Sequence, residues 1–438
     1  MSASGNKPPL IFERSFWYFS LSFLTLMLAL LVGPRVSDDQ QYENCVFNVY
    51  LPRPFGVSLN CDSPGFIVLA QDPSRLLDRF NARQSRPGLI VAAAVLAWPL
   101  SPLTGMLNKL SATAAKFDID QNRIPEYLAY ILLNIGILLA AFYYLRRICA
   151  PWADDNALTA IILSSIGFLL AVNDGVKAFA WSPHTQMFNI LAPVFCLYVS
   201  LRANAGALLQ RYFTISVGFM TGLGFTAYPL FVILLPCVTI CSLTFAFRKA
   251  CRAVWSQTII HIVLFMLLVL APEGLWAAFV LLKTGAFYNH EIEAYNEVVW
   301  MFQTWRQGFA TFLISWLDKL NQLLWFAAVQ AVPAVVVLIG VIASSRKMDA
   351  DEKRPPLWPL ISTSILVSAV TAAFYACVGM LEPRLAYSIV PPLIVVVAVA
   401  AVAISDCDIR RRKNITYWSV AVVTAWAIYT VVKDGPYS

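Results

Sequence analysis

Apolar runs long enough to cross a bilayer recur along the whole chain, and nothing else limits its fold so strongly. They fall at 16–32, 88–107, 124–145, 157–172, 186–201, 212–228, 229–247, 257–282, 321–345, 357–380, 385–404 and 415–432. A transmembrane helix needs roughly 20 apolar residues. The composition agrees: 59% of the 438 residues are hydrophobic and 13% charged, against roughly 45–50% and 25% in soluble domains. The pattern predicts an all-α polytopic membrane protein, one transmembrane domain over residues 1–438 with 11 to 13 spans and no soluble domain. A soluble enzyme, a disordered tail and a zinc-finger array are excluded. The net charge of +7 is spread as short basic clusters between apolar runs. It forms no basic groove, so the expected partners are membrane lipids and not nucleic acid.

Two polar stretches are long. Residues 34–87 follow the first helix, which Gly33-Pro34 ends; no small-residue cleavage site follows that helix, so it reads as retained. Within this stretch Leu76, Leu77 and Phe80 fall at helical spacing among Arg75, Asp78, Arg79 and Arg83. That predicts a short amphipathic helix along the membrane surface. The second stretch, 283–320, carries His290, Glu291, Glu293, Glu297, Trp300, Trp305 and Arg306. Basic clusters mark cytoplasmic connections. Arg146-Arg147, Arg202/Arg211, Arg248-Lys249/Arg252, Arg346-Lys347/Lys353-Arg354 and Arg410 to Lys413 recur at every second connection, and Lys7 and Arg14 place the N-terminus inside. Both long stretches, the segment Trp181–His184, the Tyr228-Pro229 turn and the Glu382-Pro383-Arg384 turn then share the outer side. One conflict stands: full crossings at both 88–107 and 124–145 would put Arg146-Arg147 outside. Either the first of these runs, broken by Pro99 and Pro102, does not cross, or the helix count nearby is off by one.

Ionisable groups at or in the membrane are costly, so each is a functional candidate. Asp38-Asp39, just past the first helix, can act as a general base or bind a divalent cation; the other reading is a pair of solvated loop acids. His184, in WSPHTQ, can contact an anionic head group or a hydroxyl, or sit in the interface beside Trp181. His261 reads as a packed or helix-bonding histidine, and His290 as a solvated one. Arg384 can clamp a phosphate with its forked guanidinium or snorkel and pair with Glu382. Arg83 and Arg86, in ARQSRP, have the same two readings. Of nine cysteines, Cys45 and Cys61 share one polar loop and can pair if it faces an oxidising compartment. No Walker loop, strand-linked GxGxxG, HExxH or CxxC occurs. Few charges lie in mid-helix, so a midplane transport site has little support. Polar material gathered at one face suits an enzyme acting on a lipid head group.

The acidic pair after the first helix (SDDQQYE), RQSRP at 83–87, WSPHTQ at 181–186, AYP at 227–229 and EPRLAYSIVPP at 382–392 together resemble the GT-C superfamily of integral-membrane glycosyltransferases. The resemblance covers residues 1–400 in layout, through short and degenerate motifs. It implies inverting transfer of a monosaccharide from a polyprenyl-phosphate donor to a lipid-linked or glycan acceptor. The setting it implies is the outer face of a bacterial inner membrane or the lumen of the endoplasmic reticulum, the bacterial one being expected here. Asp38 or Asp39 would be the base, with a divalent cation in some members. Arg384, with Arg86 and Arg83, would hold the donor phosphate. His184, Trp181, Tyr228, Tyr387, His290 and Glu291 would be substrate contacts. Two alternatives stay open: a polymerase or ligase using a diphosphate-linked donor, and a lipid-linked-sugar flippase without catalysis.

Overall fold

The computed structural model describes residues 14–32, 36–43, 45–50, 55–79, 81, 83–103, 123–154, 156–287, 292, 296–344, 355–405 and 409–433; the side chains of Asp38, Phe47, Val49, Tyr50 and Leu103 lie outside that description. In lipid each backbone N–H and C=O must be satisfied within its own segment, and an α-helix does this without a partner. The apolar runs accordingly form α1 (Arg14–Leu30), α3 (Pro87–Leu100), α4 (Ile124–Cys149), α5 (Ala157–Phe168), α7 (Phe188–Asn204), α8 (Arg211–Ala227), α9 (Leu234–Lys249), α10 (Arg252–Thr284), α12 (Phe309–Ala343), α13 (Trp358–Val378), α15 (Pro391–Ser405) and α16 (Ile409–Val432). Between them lie the short helices α2 (Ser63–Gln71), α6 (Asp174–Phe179), α11 (Val299–Gln307) and α14 (Pro383–Ala386). The chain is an all-α polytopic membrane protein. Among the described residues six helices are long and apolar enough to cross a membrane, and a seventh span arises if Pro383–Ile389 and Pro391–Ser405, bent by 42°, count as one. α1, α3, α5 and α7 are shorter apolar helices.

Two sets of contacts define the ends of the bundle. At one end the Trp152 indole donates to the Pro355 carbonyl (3.2 Å), Arg412 pairs with Asp154 (3.0 Å) and Arg248 donates to the Asn204 carbonyl (2.8 Å). At the other, the Trp181 indole donates to the Met27 carbonyl (3.0 Å), and Lys433 pairs with Asp174 (3.4 Å). The 14 residues of α3 rise only about 21 Å, short of the ~30 Å hydrocarbon core. The first turns of α4 lie at the first-loop end, where Tyr130 donates to the Phe66 carbonyl (3.0 Å) and Tyr127 to the Trp181 carbonyl (2.9 Å). α4 therefore runs from the first-loop end to the opposite end, so Arg146-Arg147 fall with the other basic clusters; residues 104–122, between α3 and α4, lie outside the described residues.

Close approach holds the pieces together. A Cβ on Gly222 of α8 would lie 2.6 Å from the Leu268 carbonyl oxygen of α10, and one on Gly88 would lie 2.5 Å from Thr226 Oγ1. Small residues thus let α8 pack directly on α10 and on the start of α3. α1 meets α4 through the stacked rings of Phe19 and Phe142, 4.1 Å between centroids.

The first loop is more structured than its polarity suggests. Val46–Tyr50 (β1) and Gly56–Asn60 (β2) pair antiparallel, Val46 opposite Asn60. Cys45 and Cys61 close the hairpin as a disulfide, with Cα atoms 5.3 Å apart. The amphipathic segment is a 3₁₀ helix, Pro73–Leu77, and Leu76 is buried against Phe66, Ile90 and Tyr130. It packs into the protein because its apolar residue has an internal partner. The second long stretch is also shorter than its composition indicates: α10 runs to Thr284, and α12 begins at Phe309.

Candidate functional site

The first loop brings one carboxylate to a fixed place. Asp62 follows the disulfide at Cys61 and precedes α2. Its N–H donates to Asn60 Oδ1 (2.9 Å). On either side of it, the Asn60 N–H donates to Ser182 Oγ (3.1 Å) and Ser63 Oγ donates to the Pro183 carbonyl (3.4 Å). These bonds tie the loop to WSPHTQ. That segment is held from below by Asn134 of α4, whose amide donates to the carbonyls of Phe179, Ala180 and Ser182 at 2.9, 3.3 and 3.0 Å. A buried asparagine in an apolar helix is costly unless it is bonded, and here it braces the turn that presents His184.

Asp62, His184 and Arg83 form one cluster. Arg83 Nη2 lies 2.6 Å from Asp62 Oδ2, and His184 Nε2 lies 3.5 Å from the same oxygen. His184 Nδ1 accepts the Gln186 N–H at 3.3 Å, so its proton sits on Nε2, facing Asp62. The hydrogen bond from His184, with the positive charge of Arg83, holds the Asp62 carboxyl well below the usual carboxylate range, against the opposing effect of burial. Burial pushes the His184 imidazole down to about 4; Asp62 opposes this and the charges of Arg384 and Arg83 add to it. At neutral pH the pair is an ionised carboxylate beside a neutral histidine. Phe66 and Phe179 flank that ring, 5.5 and 4.6 Å between centroids.

Around this cluster is a cavity of about 340 Å³, lined among others by Asp62, Arg83, Arg86, His184, Tyr228, Glu273, Glu297, Tyr375 and Arg384. Arg86, at the start of α3, donates to Thr185 Oγ1 (3.0 Å) and lies over the Tyr228 ring (5.6 Å). Tyr228 and Tyr375 both donate to Asn189 Oδ1, at 2.8 and 2.6 Å. Arg384 pairs with Glu382 and lies over the Phe179 ring at 5.3 Å. Glu297 enters from the second loop, docked where the Val298 N–H donates to the Val378 carbonyl (3.2 Å) and the Trp300 indole to Cys377 (3.0 Å). A second cavity, about 950 Å³ and almost wholly apolar, is lined by Pro87, Val91, Leu132, Phe188, Phe231, Pro272 and Trp276 among others. Pro87 follows Arg86, and Pro272 precedes Glu273. The two linings thus adjoin along the chain at Arg86-Pro87 and at Pro272-Glu273, one almost wholly apolar and the other carrying Arg83, Arg86 and Arg384.

The sequence-predicted residues divide clearly. Arg83, Arg86, His184, Tyr228 and Arg384 line one chamber. Arg384 pairs with Glu382, as in the second of its readings, and also lines the chamber. Trp181 and Tyr387 do not line it: the first ties α1 to α4, and Tyr387 donates to the Leu169 carbonyl at 2.7 Å. Asp39 is exposed in a 3₁₀ turn away from the chamber, and the side chain of Asp38, like His290 and Glu291, lies outside the described residues. Among the described residues no group of three or more His, Cys, Asp or Glu is placed to hold a metal ion. Four of the lining residues named above were missed as site residues, Glu297 among them, which the sequence marked only as part of the second polar stretch. Asp62 could have been found as the loop acid beside a pairing cysteine, and Glu273 as a carboxylate within an apolar run. Tyr375 carries no sequence signal. No family model, curated protein or solved structure matches the chain.

Proposed function

We propose that this chamber transfers a monosaccharide from a polyprenyl-phosphate donor to a hydroxyl of a lipid-linked or glycan acceptor, with inversion. The observation that carries the reading is the junction of the apolar groove with the arginine-lined chamber at Arg86-Pro87. A long isoprenoid tail fits the groove, a phosphate fits beside Arg86, and a sugar fits a chamber at the small end of ligand sites, roughly 300–1,000 Å³. The acceptor oxygen bonds to the anomeric carbon, the bond from that carbon to the phosphate oxygen breaks, and the acceptor proton passes to a carboxylate. The base is Asp62 in preference to Asp38 or Asp39, because Asp62 is the first-loop acid that lines the chamber among the described residues. Its bond from neutral His184 orients it. Arg86 and Arg384 stabilise the charge that grows on the leaving phosphate, and preorganised donors of this kind are among the strongest catalytic devices.

The chamber belongs to the outer face of the membrane in this reading. The Cys45–Cys61 disulfide fits an oxidising compartment, and Arg146, Arg248 and Arg412 lie toward the opposite end; a bacterial inner membrane with a periplasmic site is the setting proposed. The test is sugar transfer by purified protein from polyprenyl-phosphate and polyprenyl-diphosphate donors. Asp62→Asn should lower turnover about 10²–10⁴-fold, and Asp39→Asn should leave it near wild type. The opposite ranking moves the base to the first acidic pair. Transfer from the diphosphate donor alone makes the chain a polymerase or ligase, and transfer from neither donor removes the enzymatic reading.

A further inference from the structure

Glu273 lies within α10, next to Pro272 and eleven residues before the helix ends at Thr284, about 16 Å along its axis. A carboxylate within a long apolar helix is costly unless it is partnered. Glu273 lines the chamber, and its Oε2 is buried with no hydrogen-bond partner among the described residues. Its position is fixed. One turn further on, the Trp276 indole donates to the Gln84 carbonyl at 2.8 Å, which clamps this face of α10 against the turn carrying Arg83 and Arg86. Pro272 and Trp276 line the apolar groove while Glu273 lines the polar chamber. The carboxylate therefore stands where the two meet.

An unfilled carboxylate oxygen needs a hydrogen-bond donor. An isoprenoid tail has none, and in the reading above the phosphate is taken by Arg86. The group that follows the phosphate on the donor is a sugar, and its hydroxyls are donors. The geometry points to Glu273 as the residue that recognises the donor sugar, accepting a hydrogen bond from one of its hydroxyls; this rests on the polyprenyl-phosphate reading above. Arg86 then reads the phosphate and Glu273 the sugar, on facing sides of the junction.

Binding separates the two. Undecaprenyl phosphate and undecaprenyl-phosphate-linked glucose, mannose and galactose are titrated against the purified full chain in nanodiscs. The wild type should bind at least one hexose lipid about threefold or more tighter than the bare lipid phosphate, the gain expected of a hydrogen bond. Glu273→Ala should lose that gain with the bare phosphate affinity unchanged. Glu273→Gln, which keeps an acceptor oxygen, should retain part of the gain, and unchanged melting of the Gln variant controls for folding. If the gain survives in Glu273→Ala, or never exists in the wild type, the sugar role is wrong while the phosphate reading stands. Equal weakening of both lipids in Glu273→Ala also overturns it. If the wild type binds neither lipid, the donor reading falls and the sugar role with it.

Discussion

Acidification should unfold this protein partly through one histidine. His184 is almost fully buried, with Asp62 and Arg83 from the first loop, Arg384 from α14 and Phe179 packed around it. Its pKa falls from 6.5 to about 4 in the fold. The unfolded chain therefore binds the proton first, so the stability from keeping this ring neutral is present above about pH 6.5 and is lost as pH falls toward 4. With those two values the loss between pH 7 and 4.5 is roughly 2–3 kcal/mol. Other carboxylates titrate nearby, so the isolating variant is His184→Gln. Glutamine keeps a donor toward Asp62 and an acceptor toward the Gln186 N–H but cannot charge. Denaturant or thermal unfolding in detergent at half-unit steps from pH 7 to 4.5 should give a flatter curve for His184→Gln, by that amount. Identical slopes for the two proteins would refute the burial argument.

Four further outcomes are expected. Cys45→Ser or Cys61→Ser removes a bridge across a separation of 16 residues and should cost about 3 kcal/mol of stability, with lower turnover because Asp62 follows the bridge; wild-type melting in the variants refutes it. Gly222→Ala forces a Cβ against the Leu268 carbonyl of α10, 2.6 Å away, and should cost about 1–3 kcal/mol; unchanged unfolding would sink the close-packing argument. Cysteines introduced at the exposed Tyr42 and Asn296 should label from outside and one at Arg411 should not; Ser63, a natural first choice in the loop, is fully buried and is a poor reporter. Arg384→Ala should weaken undecaprenyl-phosphate binding more than Glu382→Ala does, because only Arg384 lines the chamber; equal losses, with equal drops in melting temperature, would reduce the pair to a structural strut.

The helices were legible because lipid leaves a chain so little choice. A run such as 357–380 has no other way to satisfy its backbone, and it forms α13 at Trp358–Val378. Local rules failed where partners from elsewhere decide the outcome. Pattern gave Leu76 a place on the membrane surface, yet Phe66, Ile90 and Tyr130 offer it a dry pocket. The β1–β2 hairpin was hidden because its five-residue strands carry no long alternation and depend on a disulfide whose pairing sequence leaves open.

The site follows the same division. Arg83, Arg86, His184, Tyr228 and Arg384 stood out because charge and proline-bounded turns at membrane ends are visible in a string of letters. The choice among acids was not. Asp38-Asp39 draw attention as a doublet, but Asp39 faces outward, while the single Asp62 is fixed by Asn60, Ser63, His184 and Arg83. Adjacent carboxylates repel, and in a loop they turn to water; a lone carboxylate with a cation and a histidine beside it can be held inside. Glu273 was readable in principle, since a charged residue in the run 257–282 breaks the rule that apolar spans exclude charge. Its meaning was not, because only the fold brings Gln84 of the first loop to Trp276, one turn away, and so sets a mid-helix acid in the wall of the chamber. In the proposed reading the chemistry rests on two carboxylates placed by long-range contacts, Asp62 against Arg83 and His184 and Glu273 in the wall of the chamber, and such placement is what a sequence shows least.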